Sequence, residues 1–341
     1  GDFDANGRVD LAIRSYVQGG EPPTLRLLIH QADGTFQSSP AVAFPGELMA
    51  TADVDGDGNL DVIGGSFAQR VGLMPGGGDG TLRPRSFATN PYPFDLEVGD
   101  LDGDGRLDLV TLDNVPPSAS VLRGLGDGIF GAPTGVSISA ERVDVVMADF
   151  NGDGHLDLAT SSMYGWTVAV QLGSGDGSFG PPVDALLGLE PGKMVVGDVD
   201  ADGHPDIVAL TRAGERLNVL RGKGDGTFLP RLTFSDLFAL GDIALGDFNE
   251  DGRLDVATAL ASMGVGIWPG HGDGNLDSPV VVASESAITL ATGDLDGDGH
   301  LDLATIAEGG ALVRIHRGHG DGSFAAPLTL PVTRQPSRLT M

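Results

Sequence analysis

Asp100-Leu101-Asp102-Gly103-Asp104-Gly105-Arg106-Leu107-Asp108, running straight into Leu109-Val110-Thr111-Leu112, is the stretch from which the rest of the chain is read. Acids alternate at its positions 1, 3 and 5, glycine holds position 6, and Asp returns at position 9 ahead of a β-prone run. The same acidic nonapeptide begins at Asp2, Asp53, Asp100, Asp149, Asp198, Asp247 and Asp294, in steps of 51, 47, 49, 49, 49 and 47 residues. A period near 50 with one supersecondary unit per repeat is the mark of a propeller or solenoid.

Each unit has the same parts in the same order. An apolar segment such as Met194-Val195-Val196-Gly197 precedes the acidic loop, and a run such as Asp206-Ile207-Val208-Ala209-Leu210 follows it. A third apolar run (Leu217-Asn218-Val219-Leu220) leads to Gly-Asp-Gly-Thr/Ser-Phe, as at Gly175–Phe179, Gly224–Phe228 and Gly320–Phe324. Asp-Gly there is a hairpin turn signal, because glycine supplies the positive φ. A Pro-containing fourth segment ends the unit (Gly180-Pro181-Pro182). Four short strands per repeat without a helix-length 3.6 period predict an all-β fold, a seven-bladed propeller of four-stranded antiparallel blades.

The ends fit together. Arg338-Leu339-Thr340-Met341 aligns with Asp95-Leu96-Glu97-Val98, the first strand of the third unit, and Gly1-Asp2 supplies the continuation. The C-terminal strand is therefore expected to pair in the N-terminal blade and remove the open edges. One domain over 1–341 is expected, with blade 1 shared between residues 1–46 and 336–341.

Carboxylates at loop positions 1, 3 and 5 converge on one point if the chain curls tightly, and glycine at position 6 (Gly7, Gly58, Gly105, Gly154, Gly203, Gly252, Gly299) permits that curl. Position 7 contributes its backbone carbonyl, so its side chain is expected to be free to vary, and Asp at position 9 completes the set. Hard oxygen ligands of this number and flexibility suit Ca²⁺. The candidate ligands are Asp2, Asp4, Asn6, Arg8 and Asp10 in the first loop, and Asp53, Asp55, Asp57, Asn59 and Asp61 in the second. The third has Asp100, Asp102, Asp104, Arg106 and Asp108; the fourth, Asp149, Asn151, Asp153, His155 and Asp157. Asp198, Asp200, Asp202, His204 and Asp206 form the fifth, and Asp247, Asn249, Asp251, Arg253 and Asp255 the sixth. Asp294, Asp296, Asp298, His300 and Asp302 close the series, giving up to seven ions. Loops in which Asn6, Asn151 or Asn249 replaces Asp are expected to bind more weakly.

Composition agrees with that chemistry. The chain has 48 Asp and Glu against 20 Lys and Arg, for a formal charge of −28. Such a surface excludes nucleic acid and anionic membranes as partners. The seven loops hold 25 of those acids at candidate ligand positions, and Lys193 and Lys223 are the only lysines. Basic side chains are therefore not expected to neutralise the loops, which leaves cations from solution. Cysteine is absent, ruling out disulfides and thiolate chemistry. No run of 18 apolar residues spans a membrane. Calcium sites with the roughly 10⁻⁴–10⁻³ M affinity of extracellular modules point to a secreted or cell-surface protein.

These loops resemble the FG-GAP and VCBS class of calcium-loop repeats, similar to the seven-bladed propeller of integrin α chains, over essentially the whole chain. Phe130-Gly131-Ala132-Pro133 echoes the family signature, whereas the Gly-Ala-Pro expected after the second strand is missing (Leu112-Asp113-Asn114). That departure places the chain nearer bacterial and fungal members than animal integrins. The resemblance implies ions between first and second strands on one face, partners on the opposite face, and roles in adhesion, sugar binding or as accessory domains of enzymes.

No catalytic constellation is evident. Three of the seven histidines sit at loop position 7, and no nucleophile elbow, phosphate loop or His-Glu-x-x-His occurs. Aromatics in the loops expected on the opposite face (Tyr16, Tyr92, Tyr164 and Trp166) are the candidate ligand residues, forming one asymmetric patch. The reading is a monomeric, exported, calcium-stabilised module that binds a protein or glycan and is not an enzyme. The rivals are a polysaccharide-active enzyme such as a lyase, working through a central His or Arg, and a scaffold or accessory domain of a larger protein.

Overall fold

The repeat becomes a blade seven times over. The computed structural model describes every residue except 17–21, 45–48, 67–69, 89–92, 115–116, 139–141, 163–164, 189, 212–215, 236–239, 261–262, 284–285 and 308–309. Among the described residues it contains seven antiparallel sheets, six of four strands in chain order and a seventh, blade 1, that begins with the last strand of the chain and has a short fifth strand.

Blade 4 shows how sequence makes the unit. Its strands are Arg142–Ala148, Asp157–Ser162, Thr167–Gln171 and Val183–Leu186. The two middle strands are buried along their whole length, which explains their continuous apolar and small-residue composition instead of an alternating one. The outer strand, with Val183 and Leu186 exposed, is the rim. Blade 1 closes the ring as expected: Gln335–Thr340 pairs with Leu11–Tyr16, matching Ile13 with Leu339 and Tyr16 with Gln335. Thr51 Oγ1 of blade 2 also donates to the Met341 carbonyl at 2.9 Å.

The core lies between blades, not within them. Seven apolar clusters each join two neighbours. Phe150, Val168 and Val170 of blade 4 meet Ile207 and Ala209 of blade 5. Leu11, Ile13 and Leu339 meet Leu295 and Ile306 of blade 7, and Ala12, Leu25 and Leu27 meet Val62 and Met74 of blade 2. A fully buried Leu or Val contributes roughly 1.5–3 kcal/mol, so the ring is held by its seams. Antiparallel order puts the loops joining strands one–two and three–four on one face, and the remaining connections on the other. No helix is long and apolar enough to cross a membrane.

Candidate metal centres

Blade 5 illustrates the acidic loop. Asp198 at position 1 accepts hydrogen bonds from Asp202 N (3.1 Å) and Gly203 N (2.9 Å), which curls the chain around its own carboxylate. Gly203 has φ +88°. Position 4 is also left-handed: Ala201 has φ 58°, and Ala5 and Glu250 share that conformation. The sequence reading assigned this demand to position 6 alone.

Asp206 at position 9 is fully buried and works as a staple. Its Oδ2 accepts from Val199 N at 2.9 Å, and its Oδ1 from Gly222 N, just beyond the third strand, at 2.7 Å. The other six blades repeat both bonds; Asp157, for example, accepts from Phe150 N and Gly173 N. Burial pushes the carboxyls of Asp61, Asp206 and Asp302 up to about 6.

Carboxylate oxygens approach within 4.8 Å of one another in five loops: Asp2/Asp4/Asp10, Asp53/Asp55/Asp57, Asp100/Asp102/Asp108, Asp198/Asp200/Asp206 and Asp294/Asp296/Asp302. Position 3 supplies the test of fit. Oδ1 of Asp102, Asp200 and Asp296 is buried without a hydrogen-bond partner, and a buried carboxylate oxygen left so needs a cation or a donor. The donor set therefore fits a hard divalent ion. Loops four and six carry Asn151 and Asn249 at position 3 and assemble no such carboxylate triad among the described residues, whereas the first loop, also expected to be weak because of Asn6, does. In all seven loops position 5 turns back on position 7; Asp104, Asp202 and Asp298, for example, accept from the amides of Arg106, His204 and His300, each at 2.9 Å.

Two expectations need correction. First, basic side chains do reach the loops. Arg253 pairs with Asp251 at 2.6 Å, Arg106 with Asp104, and Arg123 with Asp102 and Arg317 with Asp296 at 3.2 Å each. These are arginines, two at position 7 of the same loop (Arg106, Arg253) and two just beyond the third strand (Arg123, Arg317), so counting lysines missed them. The pairs are partly exposed and worth little individually. Second, position 7 is not free. His204 lies over Gly224, where a Cβ would stand 2.4 Å from the ring, and His155, Asn59 and His300 cover Gly175, Gly78 and Gly320 in the same way. His300 Nδ1 also pairs with Glu250 of the neighbouring blade, which raises the imidazole above its usual value.

Neighbouring blades lock these loops together. Gly226 N of blade 5 donates to the Phe150 carbonyl of blade 4 at 2.9 Å, and Gly177, Gly274 and Gly322 make the same bond to Leu101, Val199 and Phe248. With Gly80 N on the Phe3 carbonyl, five of the seven acidic loops are thus clamped under the Asp-Gly turn of the next blade, which ties loop order to seam order.

The candidate ligand aromatics fare differently. Trp166 sits in the turn after the second strand of blade 4, 53% exposed with φ 52°, and its carbonyl accepts Leu187 N (2.8 Å) and Gly188 N (3.2 Å). Tyr16, half-buried, ends the second strand of blade 1. They share the face opposite the acidic loops but stand three blades apart, so no single patch joins them. Tyr92 and Tyr164 lie outside the described residues. The central channel holds a cavity of about 490 Å³ whose lining includes Arg338 and, among the described residues, no histidine.

Comparison with known proteins agrees with this geometry. The FG-GAP-like repeat profile matches residues 2–64, 53–111, 149–209, 198–258 and 247–305. No curated protein sequence matches the chain. Among solved structures, it is similar to an Agrocybe aegerita lectin that recognises non-reducing terminal N-acetylglucosamine (20% identity, TM-score 0.70, 96% of this chain and 91% of that one). It is also similar to the Pseudomonas aeruginosa periplasmic gluconolactonase PpgL (18%, 0.70, 97% and 98%) and to BBS1N in complex with ARL6DN (11%, 0.60, 85% and 82%). Identities this low carry the fold alone. The repeat matches cover well over half of the sequence, and the chain belongs to the FG-GAP-like repeat family.

Proposed function

We propose that the chain is an exported propeller, stiffened by calcium in its acidic loops, that binds a protein or glycan through the face opposite those loops. The observation that carries this reading is Trp166: a large indole held out in solvent by a left-handed turn whose carbonyl is hydrogen-bonded twice. An ordered, exposed aromatic loses little entropy on contact and suits sugars and peptides alike. The acidic-loop face, by contrast, is occupied with its own hydrogen bonds. Similarity in fold to a lectin and to a protein solved with a partner is consistent with a binding role and leaves the ligand unnamed.

Glycan arrays and pull-downs in millimolar calcium, with wild type and Trp166→Ala, test the proposal. The expected result is capture that falls about tenfold or more in the variant while the melting temperature stays put. Binding indifferent to Trp166, or turnover of an acidic polysaccharide abolished by Arg338→Gln, would favour the enzymatic rival instead.

A further inference from the structure

The inner strands carry a second ring of side chains, five residues ahead of the first Asp of each acidic loop. Round the molecule from blade 1 its described members are Arg338, Asp95, Asp144, Lys193, Asp242 and Thr289; Leu48, at the same repeat position, lies outside the described residues. Most of its charges are consumed by the seams. Asp95 Oδ2 accepts from Val145 N at 2.8 Å and Asp144 Oδ2 from Met194 N at 2.7 Å, each in the next blade. Asp242 takes Lys193 Nζ at 2.7 Å on one oxygen and Thr289 Oγ1 at 2.6 Å on the other. Asp95 and Asp144 also hydrogen-bond to each other, which requires a shared proton, and burial above all holds both above the usual carboxylate range.

Two charges of opposite sign remain. Glu97 and Arg338 line the same cavity of about 490 Å³, and neither forms an ion pair among the described residues. Glu97 is the lone charge in its layer of the inner strands, where the other blades place Thr340, Ala50, Val146, Val195, Ala244 and Ala291. Burial, and then the neighbouring Asp95, push its carboxyl up to about 8, with Lys193 partly opposing. Between the blades of Arg338 and Glu97 stands blade 2, which lines the cavity with apolar Met49 and Ala50.

We propose that the central channel is a binding site for a small zwitterion. Its ammonium group would sit at Glu97, its carboxylate at the Arg338 guanidinium, and a short apolar spacer along Met49 and Ala50. Such a ligand adds no net charge to the channel and supplies a partner to each of these two side chains, Arg338 otherwise having only the longer-range attraction of Asp242. A guanidinium fork matches a carboxylate in geometry as well as sign, and the cavity lies within the size range of small-molecule sites. The proposal is independent of any partner at Trp166.

Calorimetric titration of the calcium-loaded protein with 4-aminobutyrate and 6-aminohexanoate tests it, with butylamine and butyrate as half-molecule controls. At least one amino acid should bind, and each half should bind about tenfold or more weakly. Glu97→Gln and Arg338→Gln should each cost about tenfold or more in affinity, with melting curves confirming that both variants fold. Binding to wild type should tighten between about pH 6.5 and 8.5 as Glu97 ionises, and Glu97→Gln should lose that dependence. No heat with either amino acid up to about 10 mM would overturn the proposal. Equal affinity for butylamine alone, or affinity unmoved by both substitutions, would do the same.

Discussion

The acidic loops and the channel ring are both circles of carboxylates, yet they obey opposite rules. At position 9 of the loops Asp returns in every blade, and each of these carboxylates spends its oxygens on backbone amides of its own unit. Asp10, Asp61, Asp108, Asp157, Asp206, Asp255 and Asp302 are all fully buried staples. In the channel one repeat position carries, among the described residues, an arginine, three aspartates, a lysine and a threonine. The belt repeats because every seam needs the same clamp. The channel varies because ring closure asks nothing of it beyond fitting side chains, which frees it for chemistry that differs from blade to blade.

Removing the cations should break the belt and leave the channel chemistry in place. If five triads bind calcium with Kd near 10⁻⁴–10⁻³ M, each contributes roughly 1.5–2.7 kcal/mol in 10 mM calcium, so EGTA should lower the melting temperature by about 10–20 °C. A scan that does not move would remove the belt's role.

A single staple comes next. Asp206→Ala leaves Val199 N and Gly222 N without their acceptor, which should cost about 3–5 kcal/mol by urea unfolding. That loss should largely persist in EGTA, because the two amide bonds act without metal even though Asp206 also belongs to a triad. Asp200→Ala, at the orphaned oxygen, should destabilise the protein in calcium and not in EGTA. Equal behaviour of the two variants in both buffers would erase the distinction between staple and ligand.

The channel has its own signature. A carboxyl pushed to about 8 in the folded state, against an ordinary value of 4.5, binds an extra proton between those limits. Its contribution to stability is therefore greatest below pH 4.5 and is lost as pH rises towards 8. In urea titrations in EGTA, Glu97→Gln should lose less stability than wild type between about pH 5.5 and 8.5. Identical slopes would mean that Glu97 ionises normally.

The smallest effect concerns backbone strain. Ala201 occupies a left-handed position that glycine fills in four other loops. Ala201→Gly should raise stability by about 0.5–1 kcal/mol, and no gain would show that the loop tolerates a side chain at this position without cost.

Much of this was legible from residue spacing. The steps near 49 residues set the blade, and the alignment of Arg338–Met341 with Asp95–Val98 anticipated the pairing that shuts the ring. What stayed hidden depends on contacts that a repeat alignment does not display. The left-handed turn at position 4 was masked by Ala5, Ala201 and Glu250, which adopt it without being glycine. The stacking of His204 on Gly224 joins residues from two different signatures; its trace in the sequence is the bare glycine opposite. The channel charges were invisible as a set, since only closure of the ring makes Arg338 a neighbour of blades 2 and 7. Of the aromatic candidates, the described Tyr16 and Trp166 share a face but stand three blades apart, a separation that the spacing of loops alone does not display.

Counting bound metal tests the central claim most directly. Equilibrium dialysis in millimolar calcium followed by elemental analysis should find at least the five ions per chain that the triads can hold, falling below that number when Asp200 and Asp296 are replaced by Ala. A protein that stays folded and carries less than about one calcium per chain under those conditions would contradict it.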